Sequence, residues 1–186
     1  MPPDIEPLGF DSTVNVVAPP RFLEPNWYAA HTCSRHEKRI AEQLREKRIE
    51  LFLPLYRSVH RWQDRQVQVE LPLFPGYLFV RIPLKDRLQV LQVPGLVRLV
   101  GFNGMPILVP EAEIRALRKG IENTENLEPH PYLRVGRRAR IKNGPLQGVE
   151  GILVRKKSVF RLVLSVDLIM RSVAVEVDAS DVEPIR

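Results

Sequence analysis

The final third of this 186-residue chain shows no helical period, and that limits its fold more than any other feature. Residues 138–141, 149–154, 160–166 and 173–177 are short apolar or alternating runs separated by glycine-bearing or charged turns. Strands so short and closely spaced, with no helix to cover a sheet face, predict a small β-barrel over 133–186. Just before them, residues 122–131 (ENTENLEPHP) are polar, lack an apolar period and end in two proline-containing pairs. That composition reads as a linker, placed at 122–132.

Upstream of the linker the two periods alternate. Residues 27–32 form a short apolar strand, and Ser34 stands three residues before Glu37, the spacing of a capping box. Ile40, Ala41 and Leu44 recur at helical spacing, which predicts an amphipathic helix over 35–48. Residues 51–53 and 56–62 read as extended, and 66–70 (QVQVE) alternate strictly, with 63–65 as the hairpin tip between them. The most apolar run, 71–82 (LPLFPGYLFVRI), is a central strand punctuated by Pro75-Gly76. A short helix over 84–92, a strand over 96–100, an extended edge at 105–107 and a helix opening at Pro110 with Ile114, Leu117 and Ile121 on one face complete the pattern. The expected fold is an α+β domain over 26–121, an antiparallel-rich sheet flanked by helices, followed by a small all-β barrel. Residues 1–25 hold six of the 17 prolines, show no period and read as a disordered tail.

Charge follows the same divisions. The net of +6 resolves into −3 for residues 1–26, +6 for 27–110, −2 for 111–131 and +5 for 132–186. Two basic domains favour polyanionic neighbours. The single cysteine, Cys33, excludes a disulfide framework and a cysteine-based zinc site. No apolar run approaches the roughly 20 residues of a membrane span, and the N-terminus has neither a basic nor a continuous apolar region, so a cytoplasmic location without membrane contact is expected. His31, His36, His60 and His130 show no metal-ligand spacing, and no phosphate-cradling or nucleophile-elbow pattern occurs. Neither enzyme activity, cofactor nor metal is expected.

Two motifs carry more. In the first, Val135-Gly136 and Ile141 lead into Gly144-Pro145-Leu146-Gln147-Gly148-Val149-Glu150-Gly151. Pro145 fixes the start of a tight turn, and Gly144 and Gly148 supply the positive φ it needs. Read alone, the tract suits any glycine-rich β-turn; with its flanking strands it resembles the KOW motif, whose turn residues here are Gly144, Pro145, Gly148 and Gly151. In the second, Trp27-Tyr28 opens the first strand and Leu73-Phe74-Pro75-Gly76-Tyr77-Leu78-Phe79-Val80 follows some forty-five residues later, with Val93-Pro94-Gly95 beyond. Together these resemble NusG-type transcription elongation and antitermination factors over 27–186, in the family's order of N-terminal domain, linker and KOW domain. Residues 53–79 look more like the specialised paralogue RfaH than the housekeeping factor. The strand-rich KOW segment departs from RfaH and implies no helical, fold-switching form.

The resemblance implies a monomeric adaptor. Its N-terminal domain would meet the clamp helices of the largest RNA polymerase subunits through Tyr28, Phe74, Pro75, Gly76 and Tyr77, with Phe74 and Tyr77 expected partly exposed and Trp27, Leu78 and Val80 buried. Arg35, His36, Lys38 and Arg39 on the first helix and Arg57, Arg61 and Arg65 on the hairpin are candidates for contact with the non-template DNA strand, since basic groups bind phosphates while His60 or Trp62 could stack on a base. A solvated basic helix face is the other reading of the same residues. In the KOW domain, Leu168-Ile169-Met170-Arg171 matches the tract that the family uses to bind Rho or a ribosomal protein. The rival function is a KOW-containing ribosomal or RNA-binding protein that makes no polymerase contact.

Overall fold

The computed structural model describes residues 20–62, 65–123, 127–133, 136–156 and 159–185. In chain order the elements are α1 (Pro20–Leu23), β1 (Asn26–Thr32), α2 (Glu37–Glu46), β2 (Glu50–Phe52), β3 (Leu55–Trp62), β4 (Arg65–Pro72), β5 (Tyr77–Ile82), α3 (Arg87–Leu91), β6 (Leu96–Leu99), β7 (Gly101–Phe102), β8 (Met105–Pro106), α4 (Glu111–Asn123), β9 (Leu127–His130), β10 (Arg137–Ile141), β11 (Glu150–Lys156), β12 (Val159–Val166), β13 (Arg171–Val177) and β14 (Val182–Pro184).

The N-terminal sheet has strand order β2-β5-β1-β6, with antiparallel neighbours throughout. Its register sets Tyr28 opposite Val80 and Ala30 opposite Leu78. Because side chains alternate across a strand, these four face one side, where Ile40 and Leu44 of α2 and Val90 of α3 cover them. Trp27, Ala29 and Phe79 face the other side and pack with Ile114 and Leu117 of α4. The apolar residues of α2 and α4 recur every three or four positions for this reason: each helix lays one stripe on one sheet face. Among the described residues, strands β3 and β4 pair only with each other, in a long hairpin.

The C-terminal sheet runs β14-β10-β11-β12-β13-β9, all antiparallel. Both layers agree with the expected α+β domain and β-rich C-terminal domain. One local expectation fails. Residues 122–132, read as a linker, hold the end of α4 and the strand β9, which pairs with β13 through Ser172–Val175. Pro129 misleads here, since proline lacks a ladder donor, but β9 is the edge of its sheet and an edge tolerates it. Of the expected tail, residues 1–19 lie outside the described residues and Pro20–Leu23 form one helical turn.

The two halves share a core. One apolar cluster contains Trp27, Phe74, Phe79, Ile114 and Leu117 together with Leu127, Leu146, Leu164, Ile169 and Val175 of the barrel. Gly120 lets α4 approach that closely: a Cβ there would sit 3.2 Å from Leu127 Cδ1 and 3.6 Å from both Leu164 Cδ1 and Val175 Cγ2. At the rim, Lys119 Nζ donates to the carbonyl of Gln147 at 3.1 Å.

Candidate protein and nucleic-acid interfaces

The Phe74–Tyr77 segment is a tight turn closed by Tyr77 N–H donating to the Phe74 carbonyl at 3.0 Å. Pro75 and Gly76 occupy its centre, and Gly76 has φ 82°, as a type II turn demands. The Gly76 N–H points inward and donates to Oε1 of Glu37 at 2.7 Å, although Glu37 itself is only 2% exposed. Glu37 therefore does not close a capping box with Ser34. The helix opens at His36 without a side-chain cap, and the carboxylate fixes a turn 39 residues away instead.

This geometry redistributes the five residues assigned to polymerase contact. Tyr28 is fully buried on the α2 face. Phe74, expected partly exposed, is 1% exposed and meets Phe79 edge-on at 6.1 Å. Its aromatic ring is core because the turn folds back under the sheet toward the shared cluster. Gly76 is buried too, Pro75 is exposed, and Tyr77 is half-buried with its ring 5.2 Å from that of His31. Trp27, Leu78 and Val80 are buried as expected. Pro75 and Tyr77 remain at the surface.

The exposed apolar surface of this domain lies elsewhere, at residues the sequence reading passed over. Phe102 is 72% exposed, and Val97, Met105, Ile107 and Leu108 are also exposed. Phe102 and Met105 face each other across the β7–β8 hairpin, whose turn uses positive φ at Asn103 and Gly104. The Asn-Gly pair between apolar residues announces the hairpin, and with no third strand paired to it among the described residues, its side chains stay in water. Contiguous exposed apolar surface marks an interaction site.

Arg35, His36, Lys38 and Arg39 are all exposed at the start of α2, with Arg35 at φ 65°. Among the described residues no ion pair holds Arg35, Lys38, Arg39 or the exposed Arg57, so their charges are available to phosphate. The side chains of Arg61 and Arg65, and those of His60 and Trp62, lie outside the described residues.

In the barrel, Gly144 and Gly148 take φ 82° and 81°, and Gly148 N–H donates to the Ile141 carbonyl at 2.9 Å across the turn that Pro145 begins. Gly151 serves differently: a Cβ there would lie 2.5 Å from the Val163 carbonyl oxygen, so it is a point of close strand approach. Of the partner-binding candidates 168–171, Ile169 is buried in the cluster shared with the N-terminal domain and Leu168 is half-buried against it, so neither is open to a partner here. Met170, left-handed at φ 50° and 61% exposed, and Arg171 remain outside.

Residues 25–118 match the model of the NusG family, described as transcription termination factor nusG. The chain belongs to the NusG family. Among its relatives is the transcription termination/antitermination protein NusG of Staphylococcus aureus strain MSSA476, 30% identical over 177 residues that cover 84% of this chain and 94% of that protein. The Helicobacter pylori protein of the same description is 24% identical over 173 residues, covering 86% and 98%. The structure of Thermotoga maritima NusG superposes with a TM-score of 0.55 at 23% identity, over 88% of this chain and 98% of that one, and so shares the fold. This NusG-family chain is a transcription factor of the termination/antitermination class. No helix among the described residues is long and apolar enough to cross a membrane.

Proposed function

We propose that this NusG-family chain binds RNA polymerase through its N-terminal domain, suppresses pausing and early termination, and uses its KOW barrel to recruit a second component. The observation that carries the polymerase contact is the exposed apolar strip of Phe102 and Met105, on the domain that matches the family. Aromatic and methionine side chains give large contact area when a partner desolvates them. The clamp-facing surface is this strip, with Pro75 and Tyr77 as further surface positions of the same domain, while Tyr28, Phe74 and Gly76 are buried. The free cations on α2 and Arg57 would lie along the non-template strand, adding a salt-dependent, sequence-independent attraction. The barrel loop around Met170 and Arg171 is the surface offered to Rho or a ribosomal protein.

The direct test is capture of purified bacterial core polymerase by the wild type and by a Phe102→Ala/Met105→Ala variant. The wild type is expected to bind and the variant to lose at least tenfold in affinity, on the order of 1.4 kcal/mol or more. Equal binding by both would sink the surface assignment. Tight RNA binding without any polymerase capture would favour the rival RNA-binding reading.

A further inference from the structure

Glu113 lies on the face of α4 turned toward the barrel. It lines a cleft of about 620 Å³ between that helix and strands β10–β12, and its Oε2 is buried without a hydrogen-bond partner among the described residues. Among the described residues, the charged groups around the cleft are Arg115 and Lys119 of α4 itself, Arg138 of β10, Glu150 of β11 and Asp167 after β12. Among the described residues no ion pair joins Glu113 to these cations. Lys119 donates to the Gln147 carbonyl, and Arg138 sits 3.4 Å from Glu150. Asp167 accepts from the Tyr132 hydroxyl at 3.0 Å and adds a second negative charge. An ionised Glu113 here faces a like charge and has an oxygen cut off from water; a protonated one avoids the repulsion and gains a donor.

We propose that docking of the barrel onto α4 is proton-linked, with Glu113 holding the proton in the docked form and releasing it when the halves separate. Burial, with Asp167 as the second cause, pushes the Glu113 carboxyl up from 4.5 to about 7 in the docked form. Once the domains part, the group returns to the ordinary carboxyl range. Because the docked form binds the proton more tightly, the contribution to docking is complete below the open-state value and is lost as pH rises from there through about 7. The shared cluster also buries Ile169, so proton release exposes the barrel loop; that consequence for partner recruitment rests on the function proposed above.

The test is made on the full chain without polymerase. Cys33, exposed on the N-terminal half, and a Ser180→Cys substitution on the exposed barrel surface take a pair of spin labels or dyes. Between about pH 5.5 and about pH 7.5 the open-to-docked ratio of the wild type should rise about tenfold, with part of the full linkage lost to solvent screening. The Glu113→Gln variant should stay docked with no pH response. Asp167→Asn, at an exposed position and with an acceptor oxygen kept for Tyr132, should weaken the response. A pH-independent wild type, absence of a docked population, or the same slope in wild type and both variants would overturn the proposal. Polymerase capture, measured separately, reports on the function whichever way docking turns out.

Discussion

Replacing Glu37 by alanine tests how far one buried carboxylate organises the domain. Its Oε1 accepts the Gly76 N–H at 2.7 Å in a site sealed from water, so the substitution removes a charge-assisted bond and leaves a buried donor unsatisfied. Bonds of this kind contribute about 1.5–3 kcal/mol, and an orphaned buried N–H costs a similar amount rather than adding to it. The expected loss is therefore about 2 kcal/mol, or about 4–8 °C in Tm for a chain of this size. Glu37→Gln retains an acceptor oxygen and should lose about half as much. Ser34→Ala provides the contrast: since Ser34 does not cap α2, it should change stability by less than about 0.5 kcal/mol. Urea or thermal unfolding monitored by circular dichroism measures all three. If Glu37→Ala were as stable as the wild type, or if Ser34→Ala were the more damaging change, the assignment of Glu37 to the turn would be refuted.

Glycines in the barrel should fall into two classes in the same assay. Gly151→Ala drives a methyl into the Val163 carbonyl and should cost about 1–3 kcal/mol, whereas Gly144→Ala meets no atom within 4 Å and should cost only about 1 kcal/mol from its positive φ. Arg118 lies 5.0 Å from the Trp27 ring centroid and 5.2 Å from that of Phe52, so Arg118→Ala should lose about 1 kcal/mol and Arg118→Lys less, as read by unfolding. If Arg35, Lys38 and Arg39 contact single-stranded DNA, changing all three to glutamine should lower the slope of log affinity against log salt by about 2 in a fluorescence titration; an unchanged slope would assign them to solvent.

The legible parts of this fold are those set by neighbours along the chain. Ile40, Ala41 and Leu44 announce α2, the alternation of QVQVE announces β4, and Gly144-Pro145 with Gly148 announces the barrel turn, because each signal spans only a few residues. Contacts between distant segments were not legible. Nothing local distinguishes Glu37 in a capping box from Glu37 reaching Gly76, and a proline-bearing edge strand reads like a linker until β13 is beside it. The same holds for the interfaces. Alternation within 71–82 says that some residues are buried but not which, so Phe74, in the turn before β5, reads as surface, while Phe102, in a hairpin that pairs with no third strand among the described residues, carries no local signal of exposure. Barrel docking adds to this, since Ile169 is buried by a cluster that exists only once both halves have folded.

On the function proposed above, the chain acts on transcribing polymerase through an exposed apolar surface of its N-terminal domain. Single-molecule or gel-resolved pausing by purified core polymerase on an assembled elongation scaffold tests it most directly. Wild-type protein should shorten pause lifetimes, and the Phe102→Ala/Met105→Ala variant, folded by circular dichroism, should leave them at the polymerase-alone value. Pause lifetimes unchanged by the wild type, or shortened equally by both proteins, would contradict the account.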